Sequence, residues 1–328
     1  MEPDRATKLL IRLLLAAGLL ALLMWWSGLH VDDVARTLRR LGPGTFAAAF
    51  GLHVVSYLFR ARRFQVLVPI AERPPLAEVV TASAAHNLAV QVLPAKTGEL
   101  TLIVYLRGRS GVSGSAATAS LLVSRLLDVL MLGAIGGLAA MVVARERGGL
   151  ALVLAGGLFV GSLLVAIVFA RATRLTDGLA RRLATRGPRA RRVGEIVGRL
   201  GTALESAGQR TSLVPALLLS VPLWLCVFGF WVTLASGLGL PEHIGLLDNA
   251  FATASAQIGS LVPLAAFGGI GPMEAGWQLG YGILGVDLDT ALAVGLSTHL
   301  VQLFNVSVLG GLAHLRMAVR PKARTEAS

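Results

Sequence analysis

Repeated apolar runs, long enough to cross a bilayer, decide most of what this chain can become. They fall at about residues 9–29, 45–59, 116–143, 150–170, 213–238 and 290–315. Several reach the roughly 20 residues that span a hydrocarbon core of about 30 Å. An unpaired backbone N–H or C=O in lipid costs several kcal/mol, so such runs close their hydrogen bonds as helices. Of the 328 residues, 55% are hydrophobic and only 15% are charged, against about 25% in soluble domains. The expected fold is an all-α polytopic membrane protein, with residues 1–328 as one membrane domain. The first run follows Arg5, Lys8 and Arg12, ends in Trp25-Trp26 and lacks a small-x-small cleavage site. It is expected to be a retained first helix with an interfacial aromatic anchor, not a signal peptide.

Two further stretches, 76–106 and 244–285, are hydrophobic but interrupted. The first contains His86, Asn87, Gln91, Pro94, Lys96, Gly98 and Glu99; the second contains Asn249, Gln257, Pro263, Gly268-Gly269, Gly271-Pro272 and Glu274. Each reads as two short helices joined at a Pro/Gly break, the pattern of a re-entrant hairpin. Broken backbone at membrane depth is tolerated only where protein or a wet cavity surrounds it. The chain is therefore expected to hold about six full spans plus two broken hairpins.

Charge sets the expected orientation. The formal net charge is +12, and the basic residues sit between apolar runs, as the positive-inside rule places them. Arg60, Arg62 and Arg63 follow the second run. The segment 171–211 carries ten arginines, and the tail 317–328 adds Arg320, Lys322 and Arg324. With these and both termini in the cytoplasm, the six spans alternate without conflict in a plasma membrane. The two hairpins then enter from opposite faces, as an inverted repeat. Arg36, Arg39 and Arg40 fall on the outer side, partly offset by Asp32 and Asp33, in a segment that can lie flat in the interface. The 171–211 loop, divided at Gly187-Pro188, has apolar residues at helical spacing. It is expected to form two amphipathic helices on an anionic inner leaflet, with a plain solvated linker as the alternative. No nucleic-acid partner is expected.

Both broken stretches run from an apolar approach through a proline and a glycine-bearing turn to a glutamate, Glu99 or Glu274. A carboxylate there can simply cap the next helix; an ionisable group within the membrane otherwise marks a pathway or a paired site. Paired broken helices in two halves point to a transporter site near the midplane. Arg125 and Asp128 lie at i,i+3 and can pair. His299, Gln302 and Asn305 share one face of the last span, and His53 lies in the second; a lone intramembrane histidine commonly serves as a helix–helix hydrogen-bond partner. The spacings Gly133/Gly137 and Gly157/Gly161 suit close helix packing or, alternatively, a homodimer. The one cysteine, Cys226, excludes an internal disulfide and reads as a small buried hydrophobe.

These residues carry a resemblance. Arg60-Ala61-x-Arg63, Asn87 leading to Leu93-Pro94-x-x-x-Gly98-Glu99, Ser124-Arg125-Leu126-Leu127-Asp128, and Pro263 with Gly268-Gly269-Ile270-Gly271-x-x-Glu274 occur in an order similar to the flippase-like membrane family typified by the transmembrane region of lysylphosphatidylglycerol synthase. The resemblance covers roughly residues 10 to 318. It implies lipid handling: in aminoacyl-phospholipid synthases this region is associated with moving the modified lipid between leaflets, while a separate cytosolic domain makes that lipid. That domain is not expected within these 328 residues, so transport rather than synthesis is implied. Lys96 stands where the family often has arginine, and Ser124 where it usually has glutamate, which leaves the lipid unspecified.

The expected function is translocation of a phospholipid or lipid-linked headgroup between leaflets. The candidate substrate residues are Asn87, Gln91, Lys96, Glu99, Arg125, Asp128, Gln257 and Glu274. The carboxylates would contact a headgroup or carry a coupling proton, and Lys96 and Arg125 would engage lipid phosphate. No catalytic residue, metal ligand or cofactor is expected, and the absence of GxxxxGK[ST] argues against direct ATP use. The alternatives are a membrane transferase acting on a lipid-linked substrate, with carboxylates binding Mg²⁺ or acting as a base, and a non-transporting membrane partner.

Overall fold

The computed structural model describes residues 30–147, 149–261 and 271–319, and of Lys96 the backbone only. Among these residues the chain is all-helical, with no strand. The helices are α1 Val31–Arg39, α2 Pro43–Leu67, α3 Leu76–Val92, α4 Thr101–Ser110, α5 Gly114–Arg147, α6 Gly149–Ala184, α7 Pro188–Gly208, α8 Arg210–Gly237, α9 Leu246–Leu261, α10 Pro272–Ile283 and α11 Leu288–Val319.

Among the described residues three helices are long and apolar enough to cross a membrane: Gly114–Arg145 within α5, Thr211–Gly237 within α8, and α11. The α1–α2 pair, bent by 89°, makes a fourth if counted as one span. The first expected span, 9–29, lies outside the described residues. The fourth is contained in α6, which does not end near residue 170 but runs unbroken to Ala184.

Local chemistry sets the boundaries. Gly42-Pro43 opens α2, with proline at the first turn where its missing N–H costs nothing. Val68 and Leu93, each before a proline, take extended ψ of 136° and 135° and stop α2 and α3. Gly187 at φ 104° and Gly271 at φ 116° turn the chain into Pro188 and Pro272, where other residues would be strained.

α2 packs along α8, α3 along α11, and α9 along α10. The main core fills the space between α2, α5, α8, α9, α10 and α11, where Trp231 meets Trp277 at 6.0 Å and Trp277 stacks on Tyr281 at 5.3 Å. Val34 of α1 packs on Leu292, Ala293 and Leu296 of α11. The outer surface is apolar: Leu138 and Met141 on α5, Leu218 and Leu225 on α8, and Phe304 and Leu315 on α11 are all exposed. Large apolar side chains outside and charged ones inside invert the soluble pattern and suit a lipid surround.

Two sequence expectations change, and one alternative is excluded. Arg60, Arg62 and Arg63 do not follow the second span; they lie within α2, because nothing between Phe59 and Pro69 breaks the helix, and Arg63 is fully buried. The 171–211 segment is not a solvated linker; as expected, it is helical on both sides of Gly187-Pro188. Its first half continues α6, and in α7 Leu204 and Ala207 pack with Val66, Leu67, Val123 and Leu127 of α2 and α5. Three of the four glycines expected to pack closely do not: a Cβ on Gly137, Gly157 or Gly161 would meet open space. Contact falls instead on Gly98 against the α3 backbone, on Gly259, Gly276 and Gly280 where α9 and α10 touch, and on Gly310 against Leu88.

Candidate functional site

The first broken stretch folds as expected into two helices, α3 and α4, joined by a 3₁₀ turn at Pro94–Leu100. Gly98 makes the turn possible, since a Cβ there would lie 2.4 Å from Ala89 O and Val90 Cα. That contact sets the next residue, Glu99, against α5. Arg125 donates to Glu99 Oε2 from Nε at 3.0 Å and from Nη2 at 2.5 Å. Its third nitrogen, Nη1, donates to Asp128 Oδ2 at 3.0 Å. The i,i+3 pair read from sequence is therefore real and extends to Glu99.

Asp128 then carries the network inward. Its Oδ1 accepts from Trp224 Nε1 at 3.0 Å and lies 2.8 Å from Nη2 of Arg63. Arg63 Nη1 donates to Ser220 Oγ at 3.1 Å, and Ser220 donates to Ala216 O. The side chains grade from 38% exposed at Arg125 through 26% at Glu99 and 14% at Asp128 to 1% at Arg63. The network thus runs from an accessible mouth to a closed end. Taking each charge out of water costs several kcal/mol, offset here by pairing.

On the α3 side, His86 is fully buried with Nε2 3.7 Å from Glu99 Oε2. Its Nδ1 lies 3.1 Å from Thr101 Oγ1. The Thr101 hydroxyl donates to Gly98 O at 2.6 Å, so His86 Nδ1 is the donor to Thr101. Arg60, one turn before Arg63, feels the charges of Asp128, Arg125 and Arg63. Three guanidinium groups thus share the field of two carboxylates, and of the three Arg63 and Arg125 form ion pairs with them among the described residues.

The second acidic residue sits differently. Glu274 is fully buried in the first turn of α10. Its Oε2 accepts from Gly271 N at 2.6 Å, so it does cap its helix. Its Oε1 lies 2.5 Å from Nδ1 of the buried His299 on α11. Nearby, Asn249 accepts from Tyr281 at 2.7 Å and donates to Val232 O and Ser236 Oγ. Asn305 is fully buried, and neither of its amide atoms has a hydrogen-bond partner among the described residues.

The structure thus joins Glu99, Arg125 and Asp128, and separately joins Glu274 and His299. Asn87 lies beside the Tyr57 hydroxyl. Gln91 and Gln257 are half-buried and make no side-chain hydrogen bond to either group among the described residues. The break at Pro263 and Gly268-Gly269 and the side chain of Lys96 lie outside what is described. Arg63, Ser220 and Trp224 were missing from the candidate set. The one available signal was Arg60/Arg63 at i,i+3 in phase with the buried Ser56 and Tyr57.

A family comparison decides what these helices belong to. The family described as the lysylphosphatidylglycerol synthase TM region matches residues 9–310. The chain belongs to this family. As a member of the lysylphosphatidylglycerol synthase TM region family, it is a multi-pass membrane protein, in keeping with its apolar helices. The family match spans the Arg63–Asp128–Arg125–Glu99 network and the Glu274–His299 pair alike. No curated protein and no solved structure matches the chain.

Proposed function

We propose that this protein translocates a phospholipid or lipid-linked headgroup between leaflets, with the Glu99–Arg125–Asp128–Arg63 network as its phosphate-handling site. The observation that carries the reading is a paired arginine–carboxylate network, graded in exposure, with Arg60 as a further cation in its field, among helices that suit a membrane. A structural ion pair needs only equal charges; Arg60 is the further guanidinium whose charge a lipid phosphate would balance. Arg125 is the entry group. It is the most exposed member, and its planar fork binds carboxylate and phosphate alike. Glu99 holds that fork between substrates, and an arriving phosphate displaces it. Lys96, two residues into the same turn, adds a second phosphate contact.

The topology proposed with this function has about six full spans, both termini in the cytoplasm of a plasma membrane, and hairpins α3–α4 and α9–α10 entering from opposite faces as an inverted repeat. The shared order of helix, break, glutamate and helix supports it.

In proteoliposomes, Glu99→Gln is expected to slow exchange of a fluorescent phospholipid roughly 10–100-fold, the worth of one charge-assisted hydrogen bond. The variant should insert and elute as the wild type does. Unchanged exchange would reduce Glu99 to a strut between α5 and the turn.

We also propose that α7 rests on anionic lipid. Val193 and Ile196 are exposed beside Arg191, Arg192 and Arg199, the apolar-plus-basic pattern of an interfacial helix. Trypsin should cut after Arg191 and Arg192 more slowly in phosphatidylglycerol vesicles than in phosphatidylcholine vesicles. Equal rates would place the helix in water.

A further inference from the structure

The Glu274–His299 pair has a chemistry unlike that of the arginine network. It is sealed, with side chains 0% and 2% exposed. No other ion pair reaches either residue among the described residues. The nine residues 262–270 before this turn contain no charged residue. Nor do the surrounding helices supply a competing charge by ion pairing. α9 has only Asp248, which accepts from Gly245 N at its exposed start. α8 has only Arg210 at its first residue. On α3, Glu78 accepts from Ser110, and His86 lies by Glu99. On α1, Asp33 pairs with Arg36, while Asp32 and Arg39 are exposed. On α10 and α11 the other titrating groups are Tyr281, bonded to Asn249, Asp289 at the first turn of α11, and His314 and Arg316 near its end, His314 bonded to Tyr105.

Such a site can hold a proton but has no room for a headgroup. With one proton between Nδ1 and Oε1 the pair is neutral as a whole, whether written as imidazolium–carboxylate or imidazole–carboxyl. Without that proton a single negative charge remains in a closed interior, at a cost of several kcal/mol. Losing the proton must therefore accompany a rearrangement that readmits water or another cation. Polar side chains continue beside it. Gln302 and Asn305 continue the His299 face of α11 at i+3 and i+6. Gln302 Oε1 and both Asn305 amide atoms are buried without a protein partner among the described residues. Buried amides of this kind bond to water or to a passing polar group. Five residues beyond Asn305, Gly310 touches Leu88 of α3, the helix that carries His86.

We propose that Glu274 and His299 bind one transportable proton, reached along Gln302 and Asn305, and that this proton drives the lipid exchange proposed above. The inference rests on that reading for its cargo but not for the proton site. The step is balanced: the pair accepts one proton from water on one side and returns it to water on the other, with only N–H and O–H bonds made and broken. Glu99 and Glu274 thus divide the work, one gating phosphate and one carrying charge.

The test uses the full chain in phosphatidylglycerol–phosphatidylcholine vesicles, with two readouts. Infrared difference spectra recorded with and without an imposed proton gradient should show a carboxyl and imidazole signal that disappears in Glu274→Gln and in His299→Gln. The glutamine at 274 retains an oxygen for the Gly271 N–H cap. Fluorescent phospholipid exchange should rise roughly tenfold under an imposed proton gradient in the wild type. In the two variants the rise under the gradient should be lost. A spectrum unchanged by both substitutions, or wild-type exchange indifferent to the gradient, overturns the proposal. A wild type that exchanges no lipid under any condition while its infrared signal maps to Glu274 and His299 sinks the flippase reading instead, and leaves the proton site standing without a cargo.

Discussion

Asp128→Leu is expected to cost about 3–5 kcal/mol and to lose the monodisperse protein on purification, because it strands Arg63 as an uncompensated charge. Arg63 is 1% exposed and Asp128 is its only carboxylate partner among the described residues; Ser220 alone remains to it. Trp224 would lose the acceptor for its indole N–H in the same stroke. The double variant Arg63→Met/Asp128→Leu removes both charges and should restore folding to near the wild-type level, since apolar replacement of a whole buried pair is commonly neutral. Size-exclusion profiles and thermal melts in detergent would measure both. A single variant as stable as the wild type would mean that water reaches Arg63.

Arg125→Lys should lower lipid exchange by about tenfold or more while leaving the fold intact. All three guanidinium nitrogens are in use, two on Glu99 and one on Asp128. A lysine offers one ammonium at one point and cannot bridge both carboxylates in the same plane. Because Arg125 is also the most exposed member, its stability contribution is screened, and the melting temperature should move little. Exchange measured beside a melt separates the two effects: a large thermal shift with normal exchange would make Arg125 structural.

Much of this was legible in the sequence. The apolar runs gave the helical class, and Pro94 with Gly98 gave the first break, because a proline and a glycine at a buried turn have few other uses. Arg125 and Asp128 announced their contact by spacing alone. The arginines of α2 were misplaced because an arginine after a 15-residue run without Lys, Arg, Asp or Glu looks like the end of a span. What lets Arg63 be buried is long-range: Asp128, 65 positions away, neutralises it, and no local pattern records that partner. Glu274 and His299 were each visible as intramembrane polar residues, but their contact joins two helices across a turn. The glycines illustrate the same limit. Gly157 and Gly161 fit a packing motif and meet nothing, whereas Gly276 and Gly280 were not singled out and touch the backbone of α9. Spacing tells which face a glycine occupies, not which helix arrives there.

The contact between α9 and α10 has a mechanical consequence. At Gly259, Gly276 and Gly280 main chain meets main chain, and an added Cβ would fall 2.1 to 2.7 Å from its neighbour. With no layer of side chains between them, the two arms have nothing to slide on. They form one stiff strut, so any hinge that bares Glu274 must lie on its far side, along the seam where Trp277 leans on Gly295 of α11.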